Sequence, residues 1–88
     1  MTFAADDTLL LIFNSIHRVL RAEKLLQEHQ IAFKLMPTPR PLVSDCGLSI
    51  VVSGRDFGAI RDRLAERRIK LVHLYVKREG IFEKTPWP

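Results

Sequence analysis

The chain has 88 residues, 47% of them apolar, and a formal net charge of +4. This describes one domain, residues 1–88, near the small end of what folds on a hydrophobic core alone, and it is too apolar for disorder. A single cysteine excludes an internal disulfide and a cysteine-rich zinc or iron–sulfur site, and His17, His29 and His73 show no ligand spacing, so neither metal nor cofactor is implied.

Residues 1–7 carry Asp6 and Asp7 where a signal peptide needs basic side chains, and the apolar run 9–13 is far too short to span a bilayer. The expected compartment is the cytoplasm, where a free thiol stays reduced. Residues 8–13 read as a strand apolar on both faces, hence central in its sheet. Asn14 or Ser15 can cap the helix that follows, over residues 16–30, with Ile16, Val19, Leu20, Ala22 and Leu26 along one side. Residues 31–36 give a second strand, expected at an edge because it ends in proline.

A third strand covers residues 48–53, with Leu48, Ile50 and Val52 facing one way. Gly54-Arg55-Asp56 breaks it, and Asp56 is placed to cap a helix over 57–68 whose buried stripe is Phe57, Ile60 and Leu64. Residues 71–77 form a fourth strand. The tail 79–88 has no period, but Ile81, Phe82 and Trp87 suit a segment that packs on something. The order β-α-β-β-α-β predicts an α+β, ferredoxin-like unit with a core over residues 8–78: a four-stranded antiparallel sheet with two helices on one face.

Between the second and third strands lies Pro37-Thr38-Pro39-Arg40-Pro41-Leu42-Val43-Ser44-Asp45-Cys46-Gly47. Prolines at 37, 39 and 41 cannot continue a helix or a central strand, since each lacks an N–H and has a fixed φ. The lone thiol therefore sits on a stiffened connection rather than in a core. The predicted topology gathers Cys46, Arg40, the helix start at Asn14–His17 and the basic helix end Arg67–Arg68 at one sheet edge. Helix-start N–H groups and guanidinium groups both favour a thiolate, so a Cys46 pKa below the free value near ~8.5 is expected, against the opposing charge of Asp45.

Pro37-Thr38-Pro39-Arg40, five residues, then Cys46-Gly47, together with Phe13-Asn14-Ser15 and Ala22-Glu23-Lys24-Leu25-Leu26, resembles a family of small bacterial proteins described as selenium or sulfur carriers. The resemblance covers most of the chain. It implies that Cys46 holds sulfur or selenium as a persulfide or selenosulfide and relays it from a donor to an acceptor protein, as a stoichiometric shuttle rather than an enzyme. In role this is similar to the TusA-like carriers, but their Cys-Pro-x-Pro helix start is absent, and Pro41 stands where a polar residue is expected.

Each candidate has a plainer role beside the functional one. Cys46 is also an ordinary small hydrophobe. Gly47 supplies a positive φ or a close backbone approach, and exposed N–H groups around it would hold a persulfide anion. Arg40 steers an anionic donor or is a solvated loop charge. Ser15 is a helix cap before it is a reactive hydroxyl, and His17 is a proton acceptor for Cys46 or simply faces water.

On the outer sheet face, Leu71, Tyr75 and alternate residues of the first strand need cover, from the 81–87 tail or from a second subunit. That face supports the alternative reading, a non-catalytic regulatory or protein-interaction module that would not need Cys46. Between Arg55 and Glu79 eight basic residues answer four acids, which suits either a solvated helix face or phosphate-backbone binding. No aromatic residue is interleaved in the most basic run, from Arg61 to Lys70, so a base-stacking nucleic-acid surface is not indicated.

Overall fold

The computed structural model describes residues 3–39, 42 and 47–87. Strands β1 (Thr8–Ile12), β2 (Phe33–Pro37), β3 (Leu48–Ser53), β4 (His73–Arg78) and β5 (Ile81–Thr85) form one antiparallel sheet in the order β2-β3-β1-β4-β5. Helices α1 (Ile16–Glu28) and α2 (Phe57–Glu66) complete an α+β fold. No helix among the described residues is long and apolar enough to cross a membrane.

β1 lies between β3 and β4, with Leu9 opposite both Val52 and Val76 and Leu11 opposite both Ile50 and Leu74. These side chains pack with Val19, Ala22, Leu25 and Leu26 of α1 and Phe57, Ile60 and Leu64 of α2 in a single core. β2 is an edge strand, as its closing proline predicts.

The sequence expectation of a four-stranded ferredoxin-like sheet needs correction, because the tail adds a fifth strand. Glu79 and Gly80 both have positive φ, 52° and 79°, the backbone of a two-residue type I′ turn that returns the chain alongside β4. Trp87 then packs edge-on against Phe57, with ring centroids 5.8 Å apart, and Phe57 meets Phe3 at 4.8 Å. The tail thus closes the helix side of the molecule and does not cross the outer sheet face.

Two further expectations change. Ile16 and Leu20 are about half exposed, and Leu25 takes their place in the core. Leu20 falls about 100° round the helix from Val19, outside the arc of Val19, Ala22 and Leu26. Asp56 occupies the N-cap position of α2 without a side-chain cap bond; a single 3-10 turn over Gly54–Asp56 intervenes, capped by the Ser53 hydroxyl, which accepts from Arg55 N–H at 3.4 Å.

At the start of β1 the N-terminal arm is tied down. Gly54 N–H donates to Asp7 O at 2.7 Å, and a Cβ on Gly54 would run into Ala4 O and meet the Cβ atoms of Phe3 and Asp7 at 3.0 Å. Only glycine admits this approach. Asp7 Oδ2 accepts from Ala4 N–H at 3.0 Å and from the Arg78 guanidinium at 3.1 Å. The Arg78 bond first, and the Ala4 N–H second, hold the Asp7 carboxyl below its ordinary range.

Candidate functional site

The sheet edge from which the proline-rich connection departs is fixed by strand register. Ile12, the last residue of β1, pairs with Ser49, and Ser49 pairs with Met36; one step further Pro37 pairs with Leu48. α1 begins four residues after Ile12, so its start and the base of the connection share this edge. Ser15 caps that start: its Oγ accepts from Arg18 N–H at 3.3 Å, and its extended backbone turns the chain into the helix. His17, in the first turn, is exposed.

The base of the connection is closed by two contacts. Thr38 N–H donates to Gly47 O at 2.9 Å, and the Thr38 and Ser49 hydroxyls share a short hydrogen bond. Ser49 is fully buried, which makes that bond an anchor rather than a surface contact. Pro39 O accepts from Leu42 N–H at 2.9 Å, just inside the connection. Gly47 has φ of 70° with open space around it, so its conformation rather than crowding calls for glycine. Arg40 and Cys46, the two residues on which the chemistry was expected to rest, lie outside the described residues.

The expectation that Arg67 and Arg68 join the helix start at this edge is corrected. Arg67 forms an ion pair with Glu28 at 3.7 Å, and its carbonyl accepts from the Arg21 guanidinium at 3.4 Å. Arg21 and Glu28 stand about 9 and 20 Å along α1 from Ser15. The end of α2 therefore packs on the later turns of α1, and the six residues from Arg67 to Val72 cover the remaining distance to β4.

Sequence reasoning passed over three residues near this edge. Thr38 and Ser49 were legible only as a strand-end threonine and an inward-facing serine, and their pairing depends on register. His73 lies opposite Ile12 on the outer sheet face, with its ring 6.1 Å from Tyr75 and Nδ1 buried without a hydrogen-bond partner among the described residues. A cavity of about 320 Å³ lined by Asp6, Thr8, Lys34, Val51 and Ser53 lies at the opposite end of the strands, away from the connection.

In this small α+β fold the base of the β2–β3 connection and a capped helix start lie at the same end of the sheet. The chain belongs to the family described as "Putative Se/S carrier protein-like", whose model matches residues 8–76. The match runs from the first residue of β1 into β4 and takes in the entire β2–β3 connection; β5 and Trp87 lie beyond it. No curated protein and no solved structure matches the chain.

Proposed function

We propose that the chain is a sulfur or selenium carrier that holds its cargo on Cys46 and relays it between a donor and an acceptor protein. The observation that carries this reading is the family match over residues 8–76, which encloses the loop bearing the chain's only cysteine. In the loading step the Cys46 thiolate attacks the outer sulfur of a donor persulfide, R–S–SH. The new S–S bond forms as the donor's own S–S bond breaks, the donor leaves as a thiolate, and Cys46–S–SH remains. The same displacement on a perselenide leaves Cys46–S–SeH. Neither displacement needs an external oxidant, because the cargo atom passes at constant oxidation level.

The neighbouring residues have distinct parts in this reading. The start of α1, organised by Ser15, offers N–H groups that stabilise an anionic sulfur, and Arg40 adds a cation on the loop. His17 accepts the thiol proton. Gly47 holds the left-handed backbone that turns the loop into β3. Three prolines limit the loop's freedom, so docking on a partner costs less ordering. Because the tail closes the helix side, the outer sheet face, with half-buried Val51, Tyr75 and Phe82, is left for the donor, the acceptor or a second copy of the chain.

The test is the intact mass of the protein after incubation with a cysteine desulfurase and cysteine. Addition of one sulfur atom, reversed by reductant and absent in Cys46→Ala, is the expected result. Failure to load under conditions where a control low-pKa thiol loads would remove the carrier reading and leave the outer sheet face as the functional surface.

A further inference from the structure

We propose that the slot between α2 and the C-terminal tail binds a small amphipathic anion, a carboxylate with an apolar body. This inference is independent of the carrier reading. The slot is a cavity of about 300 Å³ lined by Arg61, Ala65, Arg68, Ile69, Lys70 and Trp87. That volume lies at the small end of ligand-sized pockets, roughly 300–1,000 Å³. Ala65, Ile69 and Trp87 supply the apolar wall, and the three cations stand round it. Arg61 is engaged by Asp62 at 3.1 Å, whereas Arg68 and Lys70 have no ion-pair partner among the described residues. An apolar body against the indole with a carboxylate between Arg68 and Lys70 satisfies both halves of the site.

The backbone fixes where Arg68 stands at the slot. α2 ends with Arg68 N–H donating to Ala65 O at 3.1 Å and Ile69 N–H donating to Leu64 O at 2.9 Å, the pattern of a helix that closes on a left-handed residue. That residue is Arg68, with φ of 56°, where glycine is free of strain. The same ending closes α1 at Gln30, also with φ of 56°, so it is a helix-end device that fixes where the Arg68 side chain departs. Five of the six lining residues fall within residues 8–76, and Trp87, from the tail beyond that match, completes the wall.

The test uses octanoate as the probe and the full chain, followed by amide and indole NMR signals. Saturable movement of Ala65, Ile69, Lys70 and the Trp87 indole signal is expected, weakening with added salt. Acetate, which has the charge without the body, and octylammonium, which has the body with the opposite charge, should move these signals far less. The variant Arg68→Gly with Lys70→Gln should unfold at the same temperature as the wild type or higher, yet bind octanoate roughly fivefold or more weakly. The proposal is overturned if octanoate fails to saturate these signals by ~10 mM. It is equally overturned if acetate or octylammonium binds as well, or if the double variant retains wild-type affinity.

Discussion

The two faces of the sheet are buried by different means. On one, Leu9, Leu11, Ile50, Val52, Leu74 and Val76 lie under two amphipathic helices and are shielded by aliphatic and aromatic side chains. On the other, Leu10, Ile12 and Ser49 are as fully buried, but no helix of the described residues covers them. Their register neighbours are the half-buried Val51, Tyr75 and His73, with Lys34, Lys77 and Lys84 exposed towards the margins. The helix face is a dry core that sets stability. The outer face, at the end where the cysteine-bearing connection departs, mixes apolar burial with the Thr38–Ser49 hydroxyl pair and a buried His73 nitrogen that has no partner among the described residues. A site can occupy that end because the fold's stability is invested on the other side.

Substitutions should separate the two faces. Leu11→Ala, in the middle of the helix-covered face, is expected to lose about 2–5 kcal/mol in denaturant unfolding, through lost burial and the cavity left behind. Next in size, Gly54→Ala should cost about 1–3 kcal/mol, because its methyl group displaces the N-terminal arm at Ala4 and Phe3. Hydrogen exchange in this variant should rise at Ala4 and Asp7 while the β2–β3 end stays protected.

Ser49→Ala should cost only about 1 kcal/mol, since it removes one partner of a hydroxyl pair and little volume. Its consequence should instead be local, with faster amide exchange at Thr38 at the base of the connection. A loss as large as that of Leu11→Ala would mean that the outer face shares the main core after all.

The smallest effect is electrostatic. The Asp7 carboxyl is held below its ordinary range by Arg78 and by the Ala4 N–H, so folding favours its charged form. That contribution is fully present above the unfolded value of 3.8 and is lost as pH falls through the lower folded value. Asp7→Asn should flatten this acid limb of stability without changing the neutral-pH fold, measured as melting temperature against pH.

The same two faces mark what the sequence could disclose. The apolar run of β1 announced a strand buried on both sides, and the alternation of β3 set its helix-facing residues correctly. β5 escaped because its residues are mostly exposed and its turn is Glu79-Gly80; glutamate is rare at the left-handed first turn position, and Gly80 alone is a weak signal. The exposure of Ile16 and Leu20 was hidden because apolar spacing defines an arc but not its centre.

For the site, Pro39 and Gly47 were legible as loop residues because their backbone constraints are local, whereas Pro37 closes β2. The placement of Arg67 was not. It depends on how α2 lies against α1, which spacing along the chain leaves open. Thr38–Ser49 and the Trp87 slot likewise require register and tail path before any residue in them stands out.

The carrier account is tested most directly by the state of Cys46 in cells. The protein would be isolated without reductant from cells grown on cysteine, with and without selenite, and its intact and fragment masses recorded. The account predicts a population with one additional sulfur or selenium atom on Cys46, discharged by reductant. Finding Cys46 wholly as the free thiol under both conditions would contradict it.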